Sequence, residues 1–151
     1  MNPLHETWQI NNRINLYLLD STNDDYLNDV SASGGRTVGE QFAHIHNVRL
    51  MWLKAADTGQ AVQATKIEKA NITKNDLADG FRKSTDLIGQ LFENTDSSGK
   101  IRGFKPHATA FLGYLISHES HHRGQIMLTL KQAGHPADKK IQFGLWEWGT
   151  R

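Results

Sequence analysis

The sequence predicts an all-α fold, a four-helix bundle closed by a short C-terminal tail. Four segments repeat apolar residues at the 3.6-residue helical period, and none alternates long enough to argue for a sheet. Polar stretches rich in Asn, Asp, Ser and Gly separate the segments. A chain of 151 residues is long enough to bury a core, so residues 1–151 read as one domain.

The first helix runs from about Leu4 to Asp20, with Leu4, Trp8, Ile14, Tyr17 and Leu18 as its apolar positions, and yields to the loop Ser21 to Arg36. The second begins at Thr37, an N-cap with Glu40 placed to complete a capping box, and continues through Phe42, Ile45, Val48, Met51, Trp52 and Leu53. Thr73 opens the third, which presents Leu77, Phe81, Leu87, Ile88, Leu91 and Phe92 before Asp96-Ser97-Ser98-Gly99 stops it. The fourth extends from about Pro106 to Ala133, where Gly134 and Pro136 end it. The two long links, about Ser21–Arg36 and Asp57–Ile72, leave room for crossover connections. Trp146 and Trp148 in the tail are expected to cover an end or edge of the bundle.

Composition excludes several classes of function. With 38% hydrophobic and 22% charged residues and a net charge of +1, the chain has no excess of positive charge for gripping phosphate, so no nucleic-acid partner is expected. No apolar run approaches the roughly 18 residues of a membrane span, and Met1 to Ile10 lacks a signal-peptide core. Cysteine is absent, which removes thiolate ligands and nucleophiles and fits a reducing, cytoplasmic setting. Any metal must therefore be held by nitrogen and oxygen.

The chemistry concentrates in Ile116-Ser117-His118-Glu119-Ser120-His121-His122-Arg123-Gly124-Gln125-Ile126. At about 100° per residue, with His118 at zero, His122 lies near +40°, Phe111 and Thr129 near +20°, Leu115 near +60° and Ile126 near +80°. Two imidazoles one turn apart on one stripe can share a metal ion about 2 Å from each ring nitrogen. Buried together without one, they would need separate hydrogen-bond partners and could not both be protonated without repulsion. A third ligand should come from another helix, and His44 is the best candidate because Gln41, Val48 and Met51 share its face. His46 points about 200° away and reads as a surface residue, and His5, His107 and His135 read as solvent-exposed residues near helix ends or in loops. His121, about 60° from His118, suits packing or support of the ligands.

Two carboxylates are candidate catalytic groups. Glu40, one turn before His44, is placed either to orient that imidazole or act as a base, or to close the capping box. Glu119 stands where the general base stands in H-E-x-x-H, the zinc-protease helix. Against a small metallohydrolase of that type, Gln125 and Leu128 occupy the places of the glycine and histidine of the extended motif, and no strand is available to bind a peptide edge. Gln125, near −20°, can donate a hydrogen bond to a ligand, whereas Arg123, near 140°, faces elsewhere and reads as a packing or surface residue. Gly113, Ser117, Ser120 and Gly124 form a small-residue stripe opposite the histidines, suited to close helix packing or a dimer contact.

These residues resemble the DinB/YfiT-like metal-binding four-helix bundles over nearly the whole chain. Thr37-Val38-Gly39-Glu40-Gln41-Phe42-Ala43-His44-Ile45 is similar to that family's second-helix motif, His118 through Ile126 to its H-x-x-x-H-R-G-Q signature, and Leu145-Trp146-Glu147-Trp148 to its closing segment. The resemblance implies His44, His118 and His122 as ligands, an up-down-down-up topology and a homodimer. It also implies a site in which zinc or nickel keeps one position open. Family members include transferases that join low-molecular-weight thiols to electrophiles. The expectation is therefore a metal-dependent enzyme acting on a small molecule, a thiol S-transferase first and a hydrolase second. The alternative is a non-catalytic, metal-stabilised binding or scaffold protein.

Overall fold

The computed structural model describes residues 2–151, and four long helices form where the periodicity places them. Helix α1 spans Pro3–Ser21, with Pro3 in its first turn and the Asn2 side chain accepting a hydrogen bond from His5 N. Helix α2 spans Val38–Ala56 behind the expected capping box: Thr37 Oγ1 accepts from Glu40 N at 3.1 Å and Glu40 Oε2 from Thr37 N at 3.0 Å. Helix α3 covers Lys74–Glu93, capped by Thr73, and α4 covers Ala108–Gln132. The cap of α4 is His107, whose ring accepts from Ala110 N, so the helix starts two residues after Pro106. In the tail, the short helix α5 spans Lys139–Gly144. No strand occurs among the described residues, only isolated bridges between Val30 and Thr37 and between Ile101 and Phe104.

Helix α1 packs on α3 and α4, and α2 packs on the same two, so α1 and α2 sit at opposite corners. Two apolar clusters give the directions. One gathers the starts of α1 and α4 (Leu4, Trp8, Phe111, Leu112) with the ends of α2 and α3 (Leu53, Ala56, Ile88, Phe92). The other gathers Leu18, Leu19, Ile126 and Leu130 with Phe42, Ile45, Leu77 and Phe81 from the opposite helix halves. The topology is up-down-down-up: the link after α1 joins α2 at the same end of the bundle, and the link Asp57–Ile72 runs back along it as the crossover to α3.

Between the two clusters lies a buried polar layer to which all four helices contribute. Arg49 on α2 makes a paired contact with Glu119 on α4, Nε to Oε1 at 2.6 Å and Nη2 to Oε2 at 2.9 Å. Asn11 and Asn15 on α1 each donate to Glu119 Oε2 at 2.7 Å. Their side-chain oxygens accept from Arg123 Nη1 at 3.0 and 2.6 Å. Arg49 Nη1 also reaches Asn12, Ser84 and Thr85. Burial alone would raise the Glu119 pKa, but the Arg49 guanidinium and these hydrogen bonds hold it below the ordinary carboxylate value. Removing one partner of such a pair strands a buried charge, which costs about 3–5 kcal/mol.

Candidate metal centre

Antiparallel packing of α2 against α4 sets the site. Because the helices run in opposite directions, His44, in the first half of α2, meets His118 and His122 on either side of the middle of α4. The ring centroids are 4.5 Å apart for His44 and His122, 4.6 Å for His118 and His122, and 5.3 Å for His44 and His118. One nitrogen from each ring lies within 4.8 Å of the other two, and no Asp, Glu or fourth His joins the group among the described residues.

All three imidazoles are held neutral. Burial, then the charge of Arg36, then His118 lower the His44 pKa to about 4, and burial followed by the neighbouring histidines lowers His122 to about 4. His118 is lowered as well, chiefly by burial. A ligating imidazole must be neutral, so the metal displaces no proton from these groups near neutral pH.

The hydrogen bonding around the group is unequal. Gln41 Oε1 lies 2.8 Å from His122 Nδ1 and can only accept, so that nitrogen carries the proton and Nε2 keeps its lone pair. His118 Nδ1 is buried with no hydrogen-bond partner, which costs about 1–3 kcal/mol. Three ring nitrogens this close could hold a metal ion. The donor set of three nitrogens suits zinc, nickel or a similar first-row ion.

A cleft of about 300 Å³ adjoins the site, bordered by Arg36, Gln41, Gln125 and the turn Ser31–Gly35. That turn is fixed to the end of α4: Ala32 N donates to Gln132 Oε1 at 2.9 Å, and Asp29 pairs with His135 at 2.7 Å. Gly34 and Gly35 adopt positive φ angles of 81° and 93°, a conformation that L side chains resist, and they deliver Arg36 close enough to act on all three histidines.

Several sequence expectations need correction. His46 is not a surface residue: it is buried, with Nε2 2.8 Å from Thr65 O. His135 is no free loop histidine, since it stacks on Tyr26 at 3.8 Å as well as pairing with Asp29. The hydrogen-bond partner of His122 is Gln41 rather than Gln125. Arg123 is buried in the polar layer instead of lying at the surface. Of the two roles open to Glu40 it takes the capping box, as its spacing from Thr37 allowed, and it is not part of the histidine group. His121 is exposed, its ring 5.1 Å from that of His122.

Glu119 is the clearest correction. The protease reading needs its carboxylate beside the histidines and free to accept a proton, but both oxygens are bound by Arg49, Asn11 and Asn15 inside the bundle. The sequence did carry a signal for this. Glu119 falls near +100° on α4, between Ile126 and Leu130, and Arg49 occupies the middle of the α2 stripe formed by Phe42, Ile45 and Leu53. Opposite charges at the centres of two apolar stripes point to a buried pair.

No curated protein matches the chain. Two solved structures share its fold: a DinB-like protein from Bacillus cereus ATCC 10987, at 22% identity and a TM-score of 0.70, and a DinB-like protein, YjoA, from Bacillus subtilis, at 21% and 0.64. Both alignments cover 89% of this chain, with 93% and 94% of the respective relatives. The likeness to these structures concerns the fold alone, whereas the sequence itself matches the DinB family over residues 1–140, which contain α1 to α4 and all three clustered histidines. The chain belongs to the DinB family.

Proposed function

We propose that the protein is a metal-dependent enzyme in which His44, His118 and His122 hold one divalent ion, zinc or nickel first, and that it transfers a low-molecular-weight thiol to an electrophile. The observation that carries this reading is the clustering of three neutral imidazoles from two helices with no fourth protein ligand among the described residues. Such a set leaves a coordination position for an exchangeable molecule, as catalytic sites do and closed structural sites do not. When bound, the ion supplies Lewis acidity that makes a coordinated thiol or water easier to deprotonate.

The chain's own residues have separable tasks. Gln41 fixes the His122 tautomer and turns Nε2 towards the shared centre. Arg36, exposed at the rim, favours an anionic reactant over its neutral form by the same positive charge that lowers the imidazole pKa values. Between them lies the cleft that would receive the substrate. Thiol transfer ranks ahead of hydrolysis because no carboxylate joins the histidines as a base for water.

The test is turnover of metal-loaded protein with a panel of small thiols and an electrophile such as a chlorodinitrobenzene. Wild type should exceed the uncatalysed rate, and His122→Ala should return to it. Equal rates for the two proteins across the panel would refute catalysis by this site.

A further inference from the structure

Helix α4 separates the histidines from a second concavity of about 490 Å³ that the metal reading does not use. One wall is the outer face of α4, with Ile116, Ser120, Arg123, Gly124 and Met127. The facing wall is the C-terminal tail, with Leu145, Trp146 and Trp148. Here the small-residue stripe finds a use: Ser120 and Gly124 keep the helix side of the cleft low, and a Cβ added at Gly124 would meet nothing within 4 Å. Trp146 is 79% exposed, an unusual place for so large an apolar ring.

The floor is charged. Arg123 is only 7% exposed, and its Nη1 is engaged by Asn11 and Asn15. Arg123 lines the cleft, and its other guanidinium nitrogens have no acceptor among the described residues. Its layer places two guanidiniums, Arg49 and Arg123, against the single carboxylate of Glu119, so one buried positive charge is left unbalanced. A buried cation calls for an anion. A planar guanidinium with a free edge matches a carboxylate in shape as well as charge, and two indoles beside it offer faces to a flat apolar body. The volume is that of a small-molecule site.

We propose that this cleft binds an aromatic monocarboxylate, its carboxylate on Arg123 and its ring against Trp146 and Trp148. The site is distinct from the metal centre, which lies on the other side of α4, and the inference does not depend on that reading.

Metal-free protein should be titrated with 2-naphthoate and, separately, with 2-naphthamide, following the tryptophan indole resonances by NMR and the heat by calorimetry. Naphthoate should bind at one site and shift the Trp146 and Trp148 signals, and the neutral amide should bind about tenfold more weakly or worse, because it forfeits a charge-assisted contact. Gly124→Leu should abolish binding while keeping the wild-type circular dichroism, since the added side chain enters open space. His122→Ala should bind as wild type does. The inference is overturned by equal affinity for acid and amide, by no saturation in the millimolar range, or by loss of binding in His122→Ala, which would locate the ligand at the histidines. It is equally overturned if sedimentation shows a dimer that dissociates in Trp146→Ala, because a second copy would then occupy the cleft.

Discussion

Helix α4 carries two polar groups on adjoining stripes, Glu119, paired across the bundle with Arg49, and the i, i+4 pair His118 and His122, and the two stand in opposite conditions. Around Glu119 each carboxylate oxygen has a partner, and all four helices supply hydrogen-bond partners to it or to its neighbours. Around the histidines the partners are too few: His118 Nδ1 has none, and the three rings mainly face one another. The first pair lies in mid-bundle between two apolar clusters, where desolvated charge must be paired. The second lies at the edge of the buried stripe, with His44 and His118 half-buried, where a site can stay reachable. A saturated polar group holds a fold together, and an unsaturated one is poised to bind.

The comparison breaks if the roles can be exchanged by mutation. Glu119→Gln should lower stability by about 3–5 kcal/mol in urea unfolding, because Arg49 and Arg123 then remain buried without an anion. A protease-type base would instead give a stable, inactive protein. His118→Ala should do the reverse: metal affinity falls more than about 100-fold, beyond the range for a residue that only supports a ligand, while apo stability changes by about 1 kcal/mol or less.

Smaller effects sharpen it. Gln41→Ala should weaken metal binding by about 10–100-fold with the three imidazoles still present, measured by competition with a chromophoric chelator. The acid response separates the pairs by pH window. The folded-state pKa of about 4 for His44 and His122 lies below the ordinary imidazole value of 6.5, so the unfolded chain takes up these protons first and apo stability falls as the pH drops from 6.5 towards 4. The Glu119 contribution, from a pKa lowered beneath 4.5, should be lost only below that value. For the same reason metal affinity should fall most steeply near pH 4, where His44 and His122 take up protons, as chelator competition across that range would show.

The bundle could be read from the sequence because each helix carries its own apolar stripe and two of them announce their starts, Thr37 with Glu40 and Thr73 capping where expected. The histidine group could be read because i, i+4 spacing is a local property of one helix. What escaped was the identity of the partners across the bundle. Arg49 and Glu119 are 70 residues apart, and only helix rotation decides that they meet. His46 looked exposed on its own helix because the segment that buries it, around Thr65, arrives from a crossover with no periodic pattern. The same holds for Gln41, which the sequence places only on the face of His44, whereas the α2–α4 register makes it, and not Gln125, the partner of His122.

The central claim, one divalent ion on His44, His118 and His122, is tested most directly by calorimetric titration of zinc into untagged protein and its three single alanine variants. One equivalent should bind to wild type, and binding at that site should disappear from His44→Ala, His118→Ala and His122→Ala while each retains the wild-type circular dichroism. Full, unweakened occupancy in all three variants would contradict the account.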